Sequence, residues 1–94
     1  MKVELLSVPG CGACVTLGKL LDRLAVEWPG FSHQEVDLSV HPEVASDYGV
    51  MGCPALAIEG VVVTTGALGA KRLRKLLIAH GAGPGSQEDL VRLP

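Results

Sequence analysis

Along this chain the spacing of apolar residues switches repeatedly between two periods, and most switches fall near a glycine or proline. Residues 2 to 8 are short, partly β-branched and bounded by Pro9-Gly10, which predicts a strand. Leu17, Leu20, Leu21 and Leu24 then recur at helical spacing, with Lys19, Asp22, Arg23 and Glu27 on the polar side. The spacing predicts a helix from Val15 to Trp28, ended by Pro29-Gly30. Ser32 to Leu38 reads as a second strand. A short second helix opens around Ser39-Val40-His41-Pro42, because a proline in the first turn has no N–H to lose, and Gly49 closes it as a left-handed cap. Ala55–Ile58 and Val61–Thr65 are two apolar runs joined only by Glu59-Gly60, a link short enough to require a hairpin. The last helix is expected from Leu68 to His80, with Leu73, Leu76, Leu77 and His80 on one side.

The predicted order is βαβαββα. A full helix separates the first two strands, so they run parallel with a right-handed crossover. The hairpin adds two antiparallel strands. An α/β fold follows, a four-stranded mixed sheet in the order two, one, three, four with helices on both faces. Residues 1–81 form the expected domain. Residues 82–94 are expected to form a Gly/Pro-rich linker and tail, in which Ser86 to Leu90 suit either one capped helical turn or a disordered end.

A chain of 94 residues buries on folding only roughly 60–65% of the surface it exposes when open. Aromatic residues make up 3% of it, so the core must come from Leu, Val, Ile and Ala; Trp28 and Phe31 are expected to pack where the first helix turns toward the second strand. A formal net charge of −2 supplies no attraction to nucleic acid or to anionic lipid. No run approaches the ~18–20 apolar residues of a membrane span, and the N-terminal run breaks at Glu4 before a secretory leader forms. An odd count of three cysteines without an export signal points away from a structural disulfide framework and toward catalysis or metal binding, with a reducing cytoplasm as the expected compartment. His33, His41 and His80 are scattered over three elements, and Lys71, Arg72, Arg74 and Lys75 read as a solvated helix face.

The chemistry concentrates in Cys11-Gly12-Ala13-Cys14, where the first strand hands over to the first helix. Unpaired N–H groups and the positive end of the helix dipole favour a thiolate there, lowering a cysteine pKa from ~8.5 into a range of ~3.5–7.5. Cβ atoms three residues apart within a helix lie roughly 5–6 Å from one another, whereas a disulfide needs about 3.8 Å. Cys11 therefore belongs at the helix entrance as the exposed nucleophile, and Cys14, one turn deeper, is the resolving thiol. Gly12 and Ala13 are small and leave the approach open. A zinc site is the alternative use of a CxxC; it needs four ligands, and with no second CxxC present Cys53 and a histidine would have to complete it.

Pro54 opens the third predicted strand. An X–Pro bond pays only about 0.5–1 kcal/mol to be cis, and a proline entering a buried strand demands a local bend. A cis Cys53–Pro54 peptide is expected; a trans proline at a strand edge is the commoner arrangement for such a residue taken alone.

Four features together resemble the thioredoxin and glutaredoxin superfamily: CxxC after strand one, Gly49-Val50-Met51-Gly52-Cys53-Pro54-Ala55-Leu56 before strand three, the two-residue hairpin link, and Thr65-Gly66 after strand four. Within it the chain is similar to small, minimal-fold thioredoxin-like proteins with a redox-active disulfide. The resemblance covers residues 2 to about 81. It implies a thiol–disulfide oxidoreductase, without a cofactor or bound metal, that exchanges electrons with protein disulfides and an upstream reductase. Cys11 and Cys14 would be catalytic, with Cys53, Pro54, Gly12 and Ala13 binding the substrate segment. The chain departs from the pattern at Gly10, where thioredoxins usually carry a tryptophan, at Gly12-Ala13, where glutaredoxins usually carry proline and tyrosine, and in two further places. The Leu5 region stands where thioredoxins carry a buried aspartate, leaving no assigned acceptor for the Cys14 proton. The Gly66-Ala67-Leu68-Gly69 stretch lacks the acidic pair that holds glutathione in glutaredoxins, which argues against glutathione as the dedicated partner. Cys53 is read as a small buried hydrophobe; the sharper alternative is a soft-metal or metalloid module using Cys11, Cys14 and Cys53 together.

Overall fold

The computed structural model describes residues 1–82, so the expected tail lies outside the described residues apart from Ala82. The elements follow the order β1 (Val3–Ser7), α1 (Gly12–Glu27), β2 (Gln34–Asp37), α2 (Pro42–Tyr48), β3 (Ala55–Ile58), β4 (Val61–Thr65) and α3 (Ala70–Ala79). The sheet order is β2-β1-β3-β4. β1 pairs parallel with β2 and antiparallel with β3, and β4 closes the antiparallel hairpin.

All five residues of β1 are buried because they alternate between two helical layers. Val3 and Leu5 join Leu56 and Ile58 of β3 under Leu17, Leu21, Leu24 and Trp28 of α1 and its flank, and Leu73 and Leu77 of α3. Leu6 and Ala55 point the other way, with Leu38, and are covered by partly buried Val44, Ala45 and Tyr48 of α2. The two faces are unequal. α2 has no fully buried residue, so its layer is thin and stabilises less by apolar burial.

Glu4 lies on that thin face and is 5% exposed. Its carboxylate accepts from the Tyr48 hydroxyl at 2.7 Å and from Gln34 Nε2 at 3.2 Å, with Lys2 Nζ at 4.0 Å. These partners offset the cost of burying a charge. The hydrogen bond to Glu4, then burial, raises the Tyr48 hydroxyl above its ordinary range.

Several boundaries differ from expectation. α1 begins at Gly12, three residues before Val15, because Cys11 itself caps it. β2 is shorter than Ser32–Leu38: pairing with β1 begins at Gln34, while His33 is drawn toward Asp22 of α1 at 3.0 Å. α2 starts at Pro42 without a side-chain cap from His41. Asp37 instead bends the chain out of β2 by accepting from the Ser39 N–H at 2.8 Å and the Ser39 hydroxyl at 2.6 Å. Gly49 closes α2 at φ 68°, the expected left-handed cap. Glu59 and Gly60 both take positive φ, 53° and 81°, as the tight hairpin turn requires. α3 spans Ala70–Ala79 rather than Leu68–His80, with Gly69 at its N-cap. His80 is the C-cap, just past the last helical residue, and is exposed. Trp28 and Phe31 pack edge to face at 5.8 Å as anticipated.

Candidate active site

The loop from β1 to α1 turns through Pro9 and Gly10, and Gly10 sits at φ 78°, a conformation that costs an L side chain energy. The next residue, Cys11, is the N-cap of α1 in extended conformation. Its Sγ accepts a hydrogen bond from the Cys14 N–H at 3.0 Å, the position a capping oxygen usually fills. Cys11 and Cys14 are joined as a disulfide with Cα atoms 5.2 Å apart, which the extended capping geometry permits. The two sulfurs are unequal in access. Cys11 is partly exposed, whereas Cys14 is 3% exposed on the stripe it shares with Leu17, Leu21 and Leu24.

Gly12 is exposed and Ala13 partly so. A methyl group added at Gly12 would meet no heavy atom within 4 Å. Beside the disulfide opens a cleft of about 380 Å³, lined among others by Ser7, Cys11, Cys14, Glu35 and Asp37. Ser7 is buried at the C-terminal end of β1, and its hydroxyl donates to Glu35 Oε2 at 2.7 Å. The Asp37 carboxyl is held below its ordinary range, chiefly by its bonds from Ser39. The sequence reading passed over Ser7, Glu35 and Asp37. The available signal was strand alternation, since Leu5↔Glu35 and Ser7↔Asp37 are register partners and so share the face that α1 covers.

Pro54 is fully buried, its peptide bond to Cys53 is cis, and its carbonyl accepts from the Gly66 N–H at 2.7 Å. Cys53 is partly buried and free, packing in the second core cluster around Leu6, Leu38 and Ala55. Among the described residues no group of three or more His, Cys, Asp or Glu side chains is arranged to hold a metal ion. In this oxidised form the Cys11 and Cys14 sulfurs are bonded to each other, and Cys53 packs apart from them against the second cluster. The histidines also stay apart from the cleft, His33 beside Asp22 and His41 beside Glu43 at 3.5 Å.

A four-stranded mixed sheet that delivers a CxxC disulfide to a helix N-terminus defines a thiol–disulfide oxidoreductase. A family model for the thioredoxin domain matches residues 1–78, and this chain belongs to that family. It is 35% identical over 74 residues to a probable thioredoxin of Methanothermobacter marburgensis, covering 78% of this chain and 87% of that protein. It is 31% identical over 68 residues to a thioredoxin of Methanocaldococcus jannaschii, covering 71% of this chain and 80% of the relative. A solved structure of a malarial protein superposes with a TM-score of 0.69 at 19% identity, over 84% of this chain and 94% of the other. That last likeness shows the shared fold alone. No helix among the described residues is long and apolar enough to cross a membrane.

Proposed function

We propose that this protein exchanges its dithiol with disulfides of other proteins and is recharged by an upstream reductase, in a reducing cytoplasm. The observation that carries this reading is the unequal pair: a partly exposed Cys11 sulfur at the N-cap and a buried Cys14 behind it. In the reduced protein the Cys11 thiolate accepts the Cys14 N–H and lies at the positive end of α1, both of which favour the anion. It attacks a substrate disulfide, forming a Cys11–substrate bond and expelling one substrate thiolate. Cys14 then attacks Cys11 Sγ, the second substrate sulfur leaves with its electron pair, and the Cys11–Cys14 disulfide holds the two electrons' worth of oxidation. Gly12 and Ala13 present no bulk against an approaching chain. Pro54 and the Cys53 backbone are assigned to receive an extended substrate segment, consistent with their placement at the start of β3.

Reduction of insulin by dithiothreitol, followed by turbidity, tests the reading. Wild type should accelerate precipitation, and Cys11→Ser should return the rate to background. Alkylation of the reduced protein across pH should show one fast thiol ionising well below ~8.5. Equal acceleration by Cys11→Ser, or an ordinary thiol profile, would refute it.

A further inference from the structure

The resolving step needs the Cys14 proton to go somewhere, and Cys14 is 3% exposed. Burial in apolar surroundings raises a thiol's pKa, so an acceptor on the protein matters more for Cys14 than for Cys11. β1 carries no aspartate or glutamate on the face that α1 covers; Glu4, its one carboxylate, lies on the opposite face with Leu6, bonded to Tyr48 and Gln34.

Below the first turn of α1 that face ends in Ser7. Cys14 leads the buried stripe that continues through Leu17, Leu21 and Leu24, and Ser7 follows Val3 and Leu5 on the strand face that this stripe covers. Cys14 and Ser7 line the same cleft. A hydroxyl has one proton to donate and two lone pairs to accept with. Ser7 spends its proton on Glu35 Oε2 at 2.7 Å, leaving the oxygen free to accept one from a thiol. Glu35 stands on the edge strand β2 and is exposed, so it is able to pass a proton on to water.

We propose that Ser7 and Glu35 form a two-member relay that takes the proton of Cys14 during resolution: the Cys14 S–H proton moves to Ser7 Oγ as the Ser7 O–H proton moves to Glu35. The Cys14 electron pair then forms the new bond to Cys11 Sγ, and the bond between Cys11 and the substrate breaks toward the departing thiolate. The acceptor thus comes from the neighbouring parallel strand instead of the strand that precedes the dithiol. Asp37 also lines the cleft, but its Oδ1 already accepts from both the N–H and the hydroxyl of Ser39. Those bonds stabilise its anion and make it the weaker base.

This assignment rests on the oxidoreductase reading, and a neutral, symmetric probe separates the two. The reduced full chain is mixed with one equivalent of dithiodipyridine in a stopped-flow spectrometer. Cys11 attack releases the first thiopyridone, and Cys14 resolution releases the second. In Glu35→Gln, whose amide oxygen still accepts from Ser7, the first phase should match wild type. The second should slow about a hundredfold or more at neutral pH, the lower part of the range for a lost general base. It should regain the wild-type rate as pH rises past the thiol's own ionisation, where no acceptor is needed. Ser7→Ala should reproduce the same pattern with Glu35 intact. A second phase unchanged in Glu35→Gln, or slowed by the same factor at every pH, overturns the relay. No first phase in wild type overturns the oxidoreductase reading, and the relay with it.

Discussion

Replacing Tyr48 with phenylalanine isolates one buried interaction. The substitution keeps the ring that packs in the α2 layer and removes only the hydroxyl that donates to Glu4 at 2.7 Å. A hydrogen bond to a charged group contributes about 1.5–3 kcal/mol. Glu4 is 5% exposed, so water compensates little, but Gln34 still donates at 3.2 Å. The expected loss lies toward the lower end, about 1.5–2 kcal/mol. For a domain of this size 1 kcal/mol moves the thermal midpoint by about 4–8 °C, so Tm should fall by roughly 6–16 °C. Urea denaturation read by the fluorescence of the single tryptophan measures it. The pH dependence supplies a second readout. Tyr48 is raised above its ordinary value of 10.0, so its contribution is fully present below that value and is lost as pH rises through the folded one. The gap between wild type and Tyr48→Phe should therefore be constant through neutral pH and narrow in strong base. A loss below about 0.5 kcal/mol, the scale of an ordinary surface change, would show that Glu4 does not depend on Tyr48.

Four further outcomes follow from the same structure. Gly10→Ala, at φ 78° with open space around it, should cost about 1–2 kcal/mol through backbone strain alone. Gly12→Ala, in the first turn of α1 and equally unobstructed, should be neutral or stabilise by up to about 1 kcal/mol; paired urea curves check the opposite signs, and equal effects would contradict the backbone argument. Arg74 bonds Glu27 at 2.7 Å and lies 5.9 Å from the Trp28 ring centroid. Both side chains of the ion pair are about 40% exposed, so Arg74→Ala should cost only about 0.5–1 kcal/mol, with a shift in Trp28 emission that a purely surface effect would not produce. Asp37 is lowered below its ordinary range, so its contribution is present at neutral pH and lost as pH falls through the folded value. The stability difference between wild type and Asp37→Asn should accordingly shrink in acid, and a difference that grows in acid would reverse the assignment.

Much of the architecture was legible because local rules and the global fold agree here. Leu17, Leu21 and Leu24 recur at helical period, and Glu59-Gly60 leaves room only for a hairpin; both follow from backbone geometry without knowledge of partners. The dithiol was legible for the same reason: two cysteines three apart between a strand and a helix place one sulfur at the cap. Boundaries were less so. The cysteine cap that starts α1 at Gly12, and the Asp37 turn that ends β2, are side-chain bonds to the backbone that hydrophobic spacing does not encode.

What the chain determined by itself was periodicity and punctuation, and hence the element order and the position of Cys11 and Cys14, since these depend on residues close in sequence. The tertiary structure alone decided what lines the cleft beside Cys14 and what surrounds Glu4. Ser7 meets Glu35 across 28 residues and Glu4 meets Tyr48 across 44, because parallel pairing of β1 with β2 and the packing of α2 bring them together. A glutamate that breaks an apolar run in sequence becomes a buried, bonded carboxylate only once those layers close over it.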